Sequence, residues 1–502
     1  MLPALFVLPI FSGILVFRMP WIWARRTILM FTALIHTLLT AISWHHRPQP
    51  AWGGWLFLDG PGLLFLCIIS GLFLSVAFYT MGYLQRENWG RREDFQQGFL
   101  FTNAREATFI SCQLLFLGTM SLVTMSQHFG LLWVALEATT LVSAPLIYFH
   151  RHRRSLEATW KYVLICSVGI AIALLGNFFL AVSATLNEHQ SIPLILSNLR
   201  SQAAVLNIQW LKAAFIFLLV GYGTKLGLAP LHTWLPDAHS ESPSVISALL
   251  SGALLNCAFL AILRIQQVCG AAGIGTFGQP AMIFMGLFSM AVAASFILGQ
   301  KDFKRMLAYS SVEHMGILCL ALGLGAEASF GMMLHAVNHA LTKGMLFLAA
   351  GNILTVYRSK STLDIRGVCR VIPVSGALWM TGFFSISGSP PFGLFYSELL
   401  ILKAALDQGR IFAAILYLTF LCLVFIAMAG IVLRMAQGIP AGLPEDKALN
   451  MFNEQRTHRK EPYSAILPPA LLCILVLVLG VYIPPALNNL LKIAAAAATD
   501  AH

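Results

Sequence analysis

Charged residues are scarce in this sequence. Asp, Glu, Lys and Arg make up 11% of its 502 residues and hydrophobic residues make up 58%. Soluble domains carry about 25% charged residues, so this balance excludes an ordinary soluble protein and predicts a polytopic membrane protein. The formal net charge of +11 reflects lysines and arginines in predicted loops. We therefore expect a lipid bilayer around the chain and no nucleic-acid partner.

Cysteine motifs are also lacking. The nine cysteines fall mostly inside predicted spans, and no two of them form a C-x-x-C pair. This spacing gives no sign of a zinc site, an iron–sulfur cluster or a disulfide framework. We expect no cofactor or metal ion in this chain.

Long apolar runs are abundant, and windows of about 20 apolar residues recur from end to end. The first run lacks a basic leader and a small-residue cleavage site, so we interpret it as a membrane span rather than a signal peptide. We predict an all-α polytopic membrane protein with about fourteen transmembrane helices. The predicted spans cover residues 2–17, 27–44, 62–84, 108–127, 129–149, 160–183, 211–236, 244–264, 279–300, 306–325, 328–356, 371–402, 411–437 and 464–484.

Loop charges predict the orientation. The loops after spans 1, 3, 5, 9, 11 and 13 hold nearly all loop lysines and arginines, whereas the opposite loops hold few, such as Arg47, Arg200 and Arg410. Positive loops face the cytoplasm, so both termini are predicted on the periplasmic side of a bacterial inner membrane. The cytoplasmic set includes Arg25, Arg26, Arg91, Arg92, Arg151, Arg153, Arg154, Lys301, Lys304, Arg305, Arg358, Lys360, Arg456, Arg459 and Lys460.

Two spans contain glycine and proline clusters at corresponding places in two halves of the chain. Span 7 carries Gly227 and Pro230, and span 12 carries Gly388 and Pro391. Paired breaks of this kind indicate an inverted-repeat transporter core, although a simple proline kink is the alternative. We predict N-terminal helices in 1–105, a first five-helix repeat in 106–265, a second in 266–440, and a cytoplasmic loop with the final helix in 441–502.

Two lysines lie deep inside apolar spans. A charge at mid-bilayer costs roughly 3 kcal/mol on insertion scales, so Lys225 and Lys343 are candidate proton carriers. Glu137 lies mid-span at a depth similar to that of Lys225 and would modulate its proton affinity. A fixed ion pair that braces the helix bundle is the alternative, but buried pairs are poor stabilisers.

A histidine stripe precedes the second lysine. His335, His339 and Lys343 follow at i, i+4 and i+8, which places them along one helix face about 12 Å long. Histidine titrates near neutral pH and suits proton transfer, and Asn338 could hold water beside it. Hydrogen-bonded core histidines are the alternative. Metal binding is a weaker interpretation, because no third ligand is close in sequence.

Several other polar residues each allow two interpretations. Glu398, just after the second break, is a candidate terminal acceptor unless it is solvated near the surface. Lys161 opens span 6 and either belongs to the path or marks the membrane boundary. His232, Asp237 and His239 follow the first break and either line a mouth or hold the broken helix.

Long motifs resemble a known superfamily. The segments GTKLGLAPLHTWLPDAHSESPSVISALLSG, KDFKRMLAYSSVEHMG and HAVNHALTKGMLFLAAGN resemble the antiporter-like membrane subunits of respiratory complex I, Mrp antiporters and group 4 hydrogenases. Within this superfamily, LEATTLVSAPL and SLEATWKY are most similar to the F-type membrane subunit of hydrogenase-4 and formate hydrogenlyase relatives.

The resemblance implies a fold and residue roles. It implies fourteen helices with two inverted five-helix repeats and a proton path at mid-membrane. By position, Glu137 matches the fifth-helix glutamate, Lys225 the broken-helix lysine and Glu398 the twelfth-helix charged position. His335, His339 and Lys343 match the eleventh-helix stripe. The resemblance further implies that the glutamate modulates the pKa of the lysine, driven by redox chemistry in partner subunits.

Two departures from the family pattern matter. Asn256 stands in span 8 where many relatives have Lys or His, and asparagine cannot titrate. A side-chain relay between Lys225 and His339 is thereby put in doubt, although water near Asn256 and Ser251 could bridge it. The chain also ends soon after span 14, without the long lateral helix of the largest complex I antiporter-like subunit. We therefore expect it not to occupy the distal cap position.

The sequence therefore favours a proton-translocating membrane subunit of a hydrogenase-4-like redox complex, with sodium as the alternative ion. Its partners would be other antiporter-like and anchor membrane subunits, and cytoplasmic hydrogenase-type and iron–sulfur subunits holding the nickel–iron centre and clusters. The chain itself would be a non-redox part of such an oxidoreductase. Rival interpretations are an Mrp-type cation/proton antiporter subunit, a subunit of another complex I-like or inorganic-carbon uptake complex, and a membrane scaffold.

Overall fold

A computed structural model describes residues 1–87, 89–94, 98–187, 190–439 and 461–499, and these are mostly helical. The predicted loop charges Arg456, Arg459 and Lys460 lie outside the described residues. Among the described residues, eleven helices are long and apolar enough to cross a membrane.

The N-terminal half consists of long helices joined by short connections. A six-residue helix, α7, precedes the first interrupted span, which is formed by α8 and the start of α9. The helices are α1 Leu2–Arg18, α2 Ile22–His45, α3 Gly60–Arg86, α4 Glu106–Met125, α5 Phe129–Ile147, α6 Arg153–Ser183, α7 Leu196–Ser201, α8 Ile208–Leu226, α9 Trp234–Glu241, α10 Ser244–Leu249 and α11 Leu255–Ala271.

The C-terminal half repeats this style, and α16 and α17 form its interrupted span. Its helices are α12 Gln279–Ile297, α13 Phe303–Leu324, α14 Ala326–Tyr357, α15 Val368–Val371, α16 Pro373–Ile386, α17 Gly393–Asp407, α18 Ile411–Gln437, α19 Tyr463–Val481 and α20 Pro485–Thr499. Two small antiparallel hairpins occur in loops: β1 Arg92–Glu93 pairs with β2 Leu100–Phe101, and β3 Thr185–Asn187 pairs with β4 Gln190–Ser191.

The first interruption lies between α8 and α9. Gly227 ends α8 in a left-handed conformation with φ +82°, which a side chain would disfavour. The backbone groups freed by the break find partners inside the protein. The indole of Trp234 donates to the Thr224 carbonyl at 2.9 Å, and the Ala229 amide donates to Ser289 Oγ at 2.9 Å. Such compensation allows non-helical backbone within a membrane protein.

The second interruption lies between α16 and α17. Gly388 has φ +62°, and the chain becomes helical again at Gly393. The carbonyl of Ile386, at the end of α16, accepts a hydrogen bond from His314 Nε2 at 3.0 Å. The second break is therefore tied directly to a buried histidine of α13.

A π-helical segment, Leu250–Leu254, joins α10 to α11. Gly252 in this segment lies against two other helices. A Cβ atom there would come within 2.5 Å of Leu72 and 2.9 Å of the Ala340 carbonyl. The close approach of the π-helical segment to α14 therefore depends on glycine. π-Helical turns of this kind occur frequently at functional sites.

Helix burial separates a core from a rim. The most apolar part of Ser244–Ala271 is entirely buried, whereas one third of the corresponding parts of α18 and α19 is buried. Large apolar side chains such as Phe11 and Phe412 are 64% and 75% exposed. Such a surface suits contact with lipid or with other membrane helices.

The last helix, α20, was not predicted from the sequence. It packs beside α3 and α14, and Leu491 and Ala494 are buried in it. Gln267 of α11 donates a hydrogen bond to its Ala497 carbonyl at 2.7 Å. This helix therefore covers one end of the buried core.

Candidate functional site

Lys225 lies at the C-terminal end of α8 and is fully buried. Its ammonium donates to two hydroxyl groups, Thr140 Oγ1 on α5 and Tyr162 OH on α6, the latter at 3.1 Å. Tyr162 in turn lies 2.7 Å from Ser143 Oγ. The lysine is thus held by neutral hydroxyl groups from two neighbouring helices.

Glu137 lies one helical turn from Thr140 on α5. Its carboxylate accepts hydrogen bonds from Ser167 Oγ at 2.9 Å and from Thr140 Oγ1 at 3.3 Å. Because Thr140 accepts from Lys225 and donates to Glu137, it connects the ammonium to the carboxylate. The two charged groups are therefore linked through a hydroxyl group and not by a direct ion pair.

The stripe on α14 is completely buried. His335, His339 and Lys343 have no exposed surface, and all three lie on the same helix. Lys343 donates to the Leu307 carbonyl at 2.7 Å and to Ser310 Oγ, both on α13. The second lysine is therefore also held by neutral oxygen atoms.

α13 contributes two titratable residues that were not predicted from the sequence. His314 Nδ1 lies 3.0 Å from His335 Nε2, and its ring also lies 5.2 Å from the ring of His339. Glu313 is 2% exposed and close enough to Lys343 to interact with it electrostatically. The run SSVEH inside an otherwise apolar span is the sequence signal that could have identified them.

Glu398 on α17 lies at the end of the histidine cluster. It is 6% exposed, and one atom from each of His314, His335 and Glu398 lies within 4.8 Å of the others. Its Oε1 atom makes no hydrogen bond to another described residue. The alternative of a solvated surface carboxylate does not fit this burial.

Two hydroxyl groups connect the halves. Ser251 of the π-helical segment lies 2.8 Å from Ser311 of α13, which is adjacent in sequence to the Lys343 partner Ser310. Asn256 lies two residues beyond this segment and donates to the Gly252 carbonyl at 2.9 Å. Asn256 Oδ1 has no partner among the described residues. Buried polar groups are usually paired, so water is expected there.

Three further residues that the sequence singled out, His239, Asn338 and His232, are also buried. His239 stacks on Phe347 with ring centroids 5.0 Å apart, and neither of its nitrogens bonds to a described residue. It lies close enough to Lys343 to interact with it electrostatically.

The Asn338 amide is buried between α14 and Gly393 of α17. His232 is 6% exposed and lies beside the rings of Phe296 and Tyr309.

Lys161 and Asp237 lie nearer the surface than the buried lysines and histidines described above. Lys161 is 45% exposed and pairs with Asp237 at 3.0 Å and with Glu157 at 2.7 Å. Asp237 also pairs with Arg305 at 2.5 Å. These contacts tie α6, α9 and α13 together near the surface. Pro230 and Pro391 lie in the two helix interruptions.

A polar cleft of 660 Å³ lies beside Arg305, the partner of Asp237. Its lining includes Arg154, Glu241, Asp302, Arg305 and Lys360. Glu241, at the end of α9, pairs with Lys360 at 3.0 Å and with His152 at 3.6 Å. Burial would raise the pKa of Glu241, but the charge and hydrogen bond of Lys360 outweigh it and lower the pKa to about 2. Burial lowers the pKa of His152, opposed by the charge of Glu241.

Similarity to known proteins extends over most of the chain. A family model described as NADH:quinone oxidoreductase/Mrp antiporter, TM, matches residues 126–426. The hydrogenase-4 component F homolog of Methylacidiphilum infernorum is 36% identical over 86% of this chain and 86% of its own length. NADH-quinone oxidoreductase subunit N of Desulforudis audaxviator is 28% identical over 92% of this chain and 89% of its own.

A solved structure has the same fold. A chain of the membrane-bound sulfane sulfur reductase, an archaeal respiratory membrane complex, superposes with a TM-score of 0.83 at 21% identity, covering 100% of this chain and 98% of that chain. At this identity the likeness concerns the fold alone. It places the described helices in the architecture of a subunit from a multi-subunit membrane assembly.

Proposed function

Because the chain belongs to the NADH:quinone oxidoreductase/Mrp antiporter family of membrane subunits, we propose that it translocates protons within a hydrogenase-4-like redox complex. The 36% identity to a hydrogenase-4 component F homolog supports this choice among the complexes of the family. The chain's own contribution is ion movement across the membrane, and the redox chemistry belongs to other subunits.

The observation that carries the proposal is the environment of Lys225. A buried ammonium without a directly bound carboxylate is poorly stabilised, because desolvation opposes its charge. Here the hydroxyl groups of Thr140 and Tyr162 accept its hydrogen bonds, and Glu137 lies one hydroxyl group away. A group in such surroundings can lose and regain a proton as the position of a nearby charge changes, which is the property required of a carrier.

The proposed path follows the order of the buried polar residues. Glu137 modulates Lys225, and the Ser251–Ser311 contact with water near Asn256 bridges to the second half. Lys343 is the second carrier, followed by a relay through the histidine cluster to the last carboxyl group. The relay and terminal residues are His339, His314, His335 and Glu398.

The same proposal includes the finer architecture. Fourteen spans would arise from α1 to α19 when the short helices α7 and α15 are left out and α8 with the start of α9, α10 with α11, and α16 with α17 are each counted as one span. The two interruptions occupy corresponding places in two five-helix repeats, Lys225 lying just before the first and Glu398 just after the second. Both termini would face the periplasm of a bacterial inner membrane, as the loop charges predict.

The proposal also assigns partners. Other antiporter-like and anchor subunits would cover the lipid-facing helices. Cytoplasmic hydrogenase-type and iron–sulfur subunits would hold the nickel–iron centre and the clusters, because the cysteine spacing of this chain supplies no cluster motif. Such a subunit carries no redox cofactor of its own.

Replacing Lys225 by Met in the intact membrane complex tests the function. Proton uptake by vesicles energised with the electron donor should fall roughly 100-fold, which is the scale of losing a positioned proton-transfer group. Lys212→Met is the matched control, because Lys212 lies on the same helix but contacts the Phe277 ring at 5.2 Å. Undiminished uptake with Lys225→Met would favour a scaffold. Uptake driven by a sodium gradient without an electron donor would favour an Mrp-type antiporter.

A further inference from the structure

Three buried side chains from different helices converge beside the second helix interruption. His314 comes from α13, His335 from α14 and Glu398 from α17, and one ligand atom of each lies within 4.8 Å of the others. We propose that they form a binding site for a divalent transition-metal ion of the zinc type. The sequence offers no third ligand near His335 and His339, but the packing of α13 and α17 supplies two.

The distances suit a small metal ion. His314 Nδ1 and His335 Nε2 are 3.0 Å apart. Nitrogen ligands at about 2.0–2.1 Å from a tetrahedral zinc ion lie about 3.3 Å apart, so the two rings need to separate only slightly. Zinc–oxygen distances to carboxylates are similar to zinc–nitrogen distances, so the Glu398 ligand oxygen should also lie about 3.3 Å from the two nitrogens. It lies within 4.8 Å of them, so a shift of about 1.5 Å or less is sufficient.

The outer nitrogens of both imidazoles are already committed. His314 Nε2 faces the Ile386 carbonyl at 3.0 Å, and a carbonyl can only accept, so this nitrogen carries a proton. His335 Nδ1 lies 3.1 Å from Ser397 Oγ, whose own hydroxyl donates to the Leu394 carbonyl at 2.9 Å. His335 Nδ1 therefore donates to Ser397.

This pattern leaves two lone pairs facing each other. With their outer nitrogens acting as donors, neutral His314 and His335 present acceptors to each other across 3.0 Å. Such a pair is stabilised by a cation between the rings, either a proton or a metal ion. Metal-binding histidines nearly always donate their other ring N–H to a carbonyl or similar acceptor, and both rings have this arrangement.

Glu398 supplies the third ligand and negative charge. Its Oε1 is buried and bonds to no other described residue. Gly388 makes room for the carboxylate, since a Cβ there would lie 1.9 Å from Glu398 Oε2. Two neutral imidazoles with a carboxylate favour zinc, copper or nickel over magnesium and calcium, which prefer oxygen ligands alone.

The second helix interruption brings polar groups next to the cluster. Ser387, Gly388 and Ser389 are partly exposed, and the two serine hydroxyl groups lie 3.4 Å apart. In the proposed site, an ion would reach Glu398 past these groups. A fourth zinc ligand would be a water molecule from the same direction, as is common in open zinc sites.

Zinc binding to the purified full-length chain in detergent tests the site. Equilibrium dialysis should give one tightly bound Zn²⁺ per chain, with magnesium unable to compete, and X-ray absorption should show imidazole and oxygen ligands. His335→Gln and Glu398→Gln should each weaken binding by about 100-fold or more. Ser397→Ala, which removes the outer partner of His335, should weaken it by roughly 10-fold.

His46→Gln is the matched control, because His46 is exposed at the end of α2 and should leave the zinc content unchanged. Elution of each variant as a single species confirms that a loss of zinc is not a loss of folding. Zinc binding that is unchanged in both His335→Gln and Glu398→Gln, or that lacks imidazole ligands, would overturn the proposal.

A second measurement distinguishes the metal site from the proposed function. The effect of zinc on transport rests on the proposed function, whereas zinc binding does not. Zinc should inhibit proton uptake by the intact complex, and Ser397→Ala should require roughly 10-fold more zinc. Zinc that binds at the cluster without inhibiting uptake supports the metal site and contradicts a proton path through it. If Ser397→Ala does not change the inhibition by zinc and no zinc is found at the cluster, the metal site is wrong. The proposed function is not affected by that result.

Discussion

Lys225 and Glu137 are connected through a single hydroxyl group, that of Thr140. The ammonium donates to Thr140 Oγ1, and the same hydroxyl donates to the carboxylate at 3.3 Å. This arrangement lets the carboxylate influence the lysine without fixing it in a permanent ion pair. A rotation of one side chain is then sufficient to change the coupling between the two charges.

Thr140→Val should uncouple the two charged groups while preserving the shape of the side chain. Hydrogen bonds to charged groups are worth about 1.5–3 kcal/mol, so we expect proton uptake by the complex to fall roughly 10-fold to 100-fold. Uptake by energised vesicles measures this. Thr139→Val is the control, because Thr139 donates only to the Leu136 carbonyl of its own helix. Equal effects of the two variants would argue against the bridge.

Ser311→Ala should weaken the connection between the halves. It removes the 2.8 Å contact with Ser251, and water must then span the whole gap. We expect proton uptake to fall several-fold, on the order of one lost hydrogen bond. Ser329→Ala is the control, because the Ser329 hydroxyl donates to the Ala326 carbonyl in the first turn of its own helix, α14. If Ser311→Ala transports as the parent chain does, the passage between the halves lies elsewhere.

Gly252→Ala should destabilise the fold where the π-helical segment meets α14. The added methyl group would meet Leu72 at 2.5 Å and the Ala340 carbonyl at 2.9 Å, and overpacking of this kind costs about 1–3 kcal/mol. The unfolding midpoint in detergent should fall. Gly71→Ala on α3 meets no atom within 4 Å and should leave the midpoint unchanged or raise it. A stable Gly252→Ala protein would show that α14 can move away without loss.

The Glu241–Lys360 pair should make stability depend on pH. The folded state lowers the pKa of Glu241 from 4.5 to about 2, so the ionised carboxylate stabilises folding at neutral pH. This contribution is on the order of 3 kcal/mol and is lost as the pH falls from about 4.5 towards 2. Glu241→Gln should therefore lower the unfolding midpoint at pH 7.

At pH 3 the difference between Glu241→Gln and the parent chain should shrink. Glu327→Gln is the control, because Glu327 is exposed and should have no effect at either pH. A difference that stays constant between pH 7 and pH 3 would show that the carboxylate charge is not what stabilises this end of the bundle.

Much of the fold follows from apolar length. The predicted span 129–149 corresponds to α5 Phe129–Ile147, and span 108–127 to α4 Glu106–Met125, because about 20 apolar residues are needed to cross a bilayer. The short helix α20 was missed, because its 15 residues are too few for a span. The π-helical segment was missed because backbone register leaves no mark on composition.

The candidate site was only partly predictable. Lys225, Lys343 and the α14 histidines stand out, because titratable residues are rare inside apolar spans. His314 and Glu313 lie in an equally apolar span, but their importance depends on α13 facing α14, which a single sequence does not specify. Likewise, Thr140 is an ordinary residue in sequence, and only the position of α8 makes it the neighbour of Lys225.

The meeting point of Ser251 and Ser311 carries no charge of its own. Neutral alcohol groups can hand a proton onward but cannot store one, so any excess proton must reside on one side of this narrow waist or the other. The two ends of the molecule would accordingly fill and empty as separate reservoirs. In the proposed path, this contact would let protons cross only while water completes the hydrogen-bonded chain beside it.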